Sequence, residues 1–237
     1  MTTATDLLAA GTESMHEAAF RSSDYTRAED LLQEALRSAR ADGDRATEAG
    51  ALDGLGWLMH FQALDRDREG ADSEAEEDLF QQALAIRRDR GDQAGIAASL
   101  FGVGLVHQVL RRDWAAGMPC FREALELADR HASALVRSEC HRHVGFYYTF
   151  EDFQPEVAVR YLRTSLDLRH QWGDPRWVPS GTFALGMAET SAGRRDEGVA
   201  LIRRAIDEAR EAGLSPRRIE GFEDWLRRIE TGNDPWS

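Results

Sequence analysis

The segment LDGLGWLMHF, Leu52–Phe61, sets a glycine among bulky side chains, and LFQQAL, Leu79–Leu84, sets an aromatic residue three places before a small one. Both recur. The first returns as LFGVGLVHQV at 100–109, CHRHVGFYYTF at 140–150 and TFALGMAETS at 182–191, so that Gly56, Gly104, Gly145 and Gly186 are 48, 41 and 41 residues apart. The second returns as LLQEAL at 31–36, CFREAL at 120–125, RYLRTSL at 160–166 and LIRRAI at 201–206. Its small residues, Ala35, Ala83, Ala124, Ser165 and Ala205, are separated by 48, 41, 41 and 40. The two series alternate along the chain, so the repeating unit is a pair.

Both kinds of segment carry apolar residues at i, i+3, i+4 and i+7, the period of an amphipathic helix, and strand alternation is absent. Between pairs stand ADGD at 41–44, DRGD at 89–92 and QWGD at 171–174. In each, the glycine suits a left-handed helix end and the aspartate suits the cap of the next helix. The junction DRHAS at 129–133 uses Ser133 as the cap instead, and Pro155 suits a first helical turn. The spacing of 48 marks an insertion at about 63–76, whose charge-rich composition predicts a solvated extension of two helices. Residues 215–231 place Ile219, Phe222, Trp225, Leu226 and Ile229 on one helical face, as a terminal capping helix would.

On these glycines, small residues and turns, the chain resembles the tetratricopeptide repeat (TPR) family, in its longer-repeat bacterial form, over about residues 5–212. The first pair departs from the pattern, because Met15 stands where its glycine would fall. The resemblance implies an all-α, right-handed solenoid of antiparallel helix pairs. Its repeats fall at about 5–42, 45–91, 93–131, 133–172 and 175–213, within a single domain over 1–237. It also implies a concave groove lined by the first helix of each pair, used for protein or peptide binding.

Advancing about 100° per residue from each glycine, positions three before, one after and four or five after cluster on one side. Those positions hold Asp53, Phe101, Arg142 and Phe183, then Trp57, Leu105, Phe146 and Met187, then His60, Gln108, Thr149 and Thr190, and last Phe61, Val109, Phe150 and Ser191. The row one after the glycine is wholly apolar, which suits a partner with apolar groups. Family members that grip a carboxyl terminus do so with lysine, asparagine and arginine across successive first helices. Only Arg142 matches here, so apolar or cationic groups are the expected partner chemistry. A small apolar ligand enclosed among Trp57, Phe101, Phe146 and Phe183 is the alternative. A further one is that a tight superhelix, or the capping helix, buries the same stripe as core.

Catalysis has weak candidates in His60 and Asp53, which stand seven steps apart on one helix, about 10 Å, too far for a direct dyad. His141 and His143 lie about 200° apart around their helix and cannot share a metal ion. Cys140, His143 and Cys120 form the remaining candidate ligand set, and no metal or cofactor is expected. The net charge of −13, with all 29 basic residues arginine, disfavours nucleic acid and anionic membranes. Two cysteines, no signal-peptide pattern and no apolar run near the roughly 18 residues of a membrane span suggest a cytoplasmic protein. Self-association through the apolar face around Trp225 would make it a homodimer.

Overall fold

The structure, a computed structural model, describes residues 2–231, so residue 1 and residues 232–237 of the expected domain lie outside the described residues. It is all-helical. Among the described residues there is no strand, and eleven helices follow in order: α1 (Ala4–Glu17), α2 (Thr26–Asp42), α3 (Arg45–Asp65), α4 (Ser73–Arg90), α5 (Gln93–Leu105), α6 (Trp114–His131), α7 (Ala134–Phe150), α8 (Pro155–Trp172), α9 (Val178–Ser191), α10 (Arg195–Glu211) and α11 (Pro216–Glu230). They group into two compact units, Met1–Ala132 and Ser133–Ser237. The division falls at the junction that lacks a Gly-Asp turn. There Ala132 is extended (φ −97°, ψ 168°) and Ser133 caps α7 through Val136 N–H.

The first unit holds α1–α6, and each helix packs on its neighbours in sequence, with α1 also touching α3 and α3 touching α5. Gly43 and Gly91 end α2 and α4 in the left-handed region (φ 69° and 67°), where a side chain would be strained. Asp44 and Asp92 then accept from the exposed N–H groups of α3 and α5. The insertion lengthens α3 and ends in an exposed turn at 66–70, with Asp67, Arg68 and Gly70 all at positive φ. The 18 residues Gln93–Leu110 are long and apolar enough to cross a bilayer by length and composition. No run of that length was expected from the sequence. In the structure 61% of that stretch is buried, as a core helix would be.

The second unit holds α7–α11 and repeats the same contacts, α7 also touching α9. Gly173 ends α8 at φ 86°, as expected, but Asp174 does not cap α9. Pro175 and Pro179 move the helix start to Val178, and Asp174 instead pairs with Arg176 at 2.7 Å. Helix α11 lays Ile219, Phe222, Trp225, Leu226 and Ile229 on Ile202, Ile206 and Phe183. The face proposed above for a homodimer is thereby used inside its own unit.

One contact recurs in every pair. The bulky residue three before each small residue, Leu32, Phe80, Phe121, Leu162 and Ile202, is buried at 0 or 1% exposure. Four of the five press on the repeat glycine of the first helix. A Cβ on Gly56, Gly104, Gly145 or Gly186 would come within 2.6–2.8 Å of Phe80, Phe121, Leu162 or Ile202. In the first pair Leu32 presses on Gly11, four residues before Met15, which answers the departure seen in the sequence. Gly104→Val should therefore lower stability by about 1–3 kcal/mol, the usual range for overpacking. Urea unfolding measures it, and Phe121→Leu in the same chain should recover part of the loss.

Candidate functional site

In the first unit the stripe predicted to face a groove is a seam between first helices. Trp57 of α3 stacks on Phe101 of α5, ring centroids 5.9 Å apart and nearly parallel, and meets Phe61 at 5.4 Å and Phe80 at 6.4 Å. Phe101 continues to Phe121 at 5.5 Å. Phe101 and Leu105 are both 2% exposed, and Gln108 is half-buried in the π-helical turn Val106–Leu110 that ends α5. Neighbouring first helices touch along this stripe, so the residue after one glycine packs on the residue three before the next.

Asp53 and His60 have separate buried partners. Arg87, in the last turn of α4, donates to Asp53, to Gly95 O at 2.7 Å and to Ser99 Oγ at 2.9 Å, while Ser99 donates to Asp53 at 3.0 Å. Burial pushes the Asp53 carboxyl up to about 6, against the Arg87 charge and the Ser99 hydroxyl that oppose it. His60 Nδ1 lies 2.8 Å from Glu76 Oε1, both side chains nearly inaccessible, with the Trp57 ring perpendicular to the imidazole at 5.8 Å. Neither group opens to solvent with a free nucleophile beside it, and the pair does not form an acid-base dyad. Sequence reasoning missed Glu76 because the insertion shifts its register. Among the described residues no group of three His, Cys, Asp or Glu side chains is placed to hold a metal ion. Cys140 is buried and Cys120 half-buried.

In the second unit the predicted residues divide. Met187 is 6% exposed and Thr149 is 3% exposed, its hydroxyl donating to Gly145 O at 2.9 Å. Phe183 is covered by α11, stacking on Phe222 at 4.4 Å and meeting Trp225 at 5.9 Å. Burial by the capping helix, the alternative given above, describes this position. His141 and Tyr148 turn to Tyr161 of α8, at 5.7 and 5.8 Å. What stays accessible is one strip of α7. Arg142, Phe146 and Phe150 follow at four-residue intervals, with the guanidinium 4.6 Å over the Phe146 ring and Phe146 5.6 Å from Phe150. Phe150 is 42% exposed and Phe153, in the turn beyond it, 64%.

Behind the strip lies a second buried arginine that the sequence reading overlooked. Arg169, 1% exposed, donates to Glu139, to Trp177 O and to Ser180 Oγ at 2.6 Å. It stands four after Ser165, as Arg87 stands four after Ala83, and in both cases the arginine ties the second helix of a pair to the first helices of its own and the following pair. That shared register was the available signal.

These units belong to the class of all-helical proteins built from successive packed helices. The crystal structure of BtubC (BKLC) from P. vanneervenii is similar, with a TM-score of 0.57 and 20% sequence identity over 90% of this chain and 92% of that one, a likeness of fold. No family model and no curated protein matches the chain.

The half-buried arginine of the first unit gives a direct test of these assignments. Asp53→Ala leaves the Arg87 charge with Gly95 O, Ser99 and the more exposed Asp92, 4.0 Å from its Nε, and should cost about 3 kcal/mol in urea unfolding at pH 7.5, the lower end of the range for breaking a buried ion pair.

Proposed function

We propose that the chain is a non-catalytic, cytoplasmic scaffold, a right-handed TPR-like solenoid of antiparallel helix pairs that holds a segment of another protein on its first-helix face. The observation that carries this reading is the Arg142, Phe146, Phe150 strip of α7, continued by Phe153. Elsewhere, aromatic residues at the same helical register are packed on neighbours. Here Phe150, at the end of α7, and Phe153, in the turn beyond it, are exposed, while Phe146 is half-buried against the core behind them, and a ring already packed in this way loses little freedom on binding.

The recurring glycine contact and the extent of the likeness to BtubC support the repeat architecture. The enclosed-ligand alternative has less support, because Trp57 and Phe101 already fill each other's faces and Phe183 is stacked on Phe222. Catalysis finds no favourable arrangement at His60 or Asp53.

The test is quantitative capture of partners from the native extract by the wild-type chain and by Phe146→Ala/Phe150→Ala, with helicity of both checked by circular dichroism. The variant should lose at least about tenfold of the captured partner, the effect of removing aromatic anchors worth roughly 2 kcal/mol. An unchanged capture profile from a folded variant overturns the reading.

A further inference from the structure

The two buried arginine clusters differ by one exchange of charge. In the second pair, position three before the repeat glycine holds Asp53, which matches Arg87, and the position six before is Gly50. In the fourth pair the acid has moved to six before, as Glu139, and three before stands Arg142. Glu139 is engaged by Arg169. A carboxylate site in one cluster is thus a guanidinium site in the other, and one positive charge is left over.

Among the described residues Arg142 has no carboxylate partner. Among the described residues it makes no ion pair, its Nε is shielded from water without a hydrogen-bond acceptor, and its Nη1 reaches only His143 Nε2 at 3.5 Å. Burial lowers its pKa to about 10, helped by the nearby charges of Arg169 and Arg218 and opposed by Glu139. It stays charged at neutral pH, and its side chain is half-buried, with the guanidinium over the Phe146 ring. A guanidinium presents a planar fork that fits a carboxylate through two hydrogen bonds.

We infer that Arg142, backed by Arg169 and bordered by Phe146, is a binding site for a single carboxylate group. The inference rests on the scaffold reading for the strip and names what its polar end recognises. It replaces the cationic partner expected from the sequence with an acidic one, because Glu139, the carboxylate nearest in sequence, is occupied by Arg169. The carboxylate could come from a free organic acid or from an acidic side chain of a partner segment, and the same chemistry serves both.

Two probes separate those sources: sodium benzoate, and the blocked peptide acetyl-Phe-Glu-Phe-amide, each measured by calorimetry at constant ionic strength. Their controls are benzamide and the peptide with Gln for Glu. At least one probe should bind, its control should bind roughly tenfold more weakly or not at all, and Arg142→Gln should lose the same factor, as expected for a charge-assisted hydrogen bond. Without ligand, Arg142→Gln should melt no lower than wild type, because it removes an uncompensated charge, whereas a purely structural arginine would lower the melting temperature. Tighter binding of benzoate points to a free acid, and tighter binding of the peptide to a side chain. If neither probe outbinds its control, or if Arg142→Gln binds as well as wild type, the inference is overturned. Loss of partner capture by the Phe146/Phe150 variant but not by Arg142→Gln would also remove it while leaving the scaffold reading in place.

Discussion

The fold depends on the approach of a bulky side chain on each second helix to a glycine backbone on the first. A bare Cα lets Phe80, Phe121, Leu162 or Ile202 sit against the helix itself, at distances that any Cβ would forbid. Fixing that separation fixes which residues can reach across to the next pair. The small residue three further on, Ala35, Ala83, Ala124, Ser165 or Ala205, is essentially inaccessible, which again keeps backbones close. Interiors packed at this density tolerate little change of volume, so one repeated contact propagates its geometry to every helix that touches the pair.

That contact explains why the helices were legible from sequence. Glycine and its bulky partner recur with nearly constant spacing, and the spacing survives even where other residues drift. Gly11 escaped notice because it lies one turn from the place the period predicts. The turns were readable for a related reason, since only glycine accommodates the left-handed ends at Gly43, Gly91 and Gly173 at low strain. Asp174 shows the limit: two prolines nearby moved the helix start, and local sequence chemistry prevailed over the repeat.

The site was less legible. A helical wheel gives the direction of Trp57 or Phe101 but not the element that meets them, and contact between first helices turned the expected groove floor into a seam. Phe183 was lost to the capping helix in the same way. Arg142, Phe146 and Phe150 had the same register and remained accessible. The buried arginines needed a different comparison. The position four after the small residue reads Ala39, Arg87, Ala128, Arg169 and Ala209, so that arginine alternates with alanine at one structural position. Alanine there is buried without charge, while arginine must find acceptors, and Asp53 and Glu139 supply them from different turns of their helices.

A local excess of positive charge within a chain of net charge −13 raises the question of how an anion could reach it. Distance decides this. At physiological ionic strength, charges more than about 8 Å away across solvent are largely screened, so the acidic surface acts on the approach of an anion more than on its bound state. Arg142 and Arg169 act through a less polar, partly buried medium, where each interaction is stronger than in water. The balance favours one negative charge at short range and disfavours ligands carrying several, whose remaining charges would face the acidic exterior. A monoanion with an apolar body meets both conditions, because the carboxylate can face Arg142 while the body lies along Phe146 and Phe150.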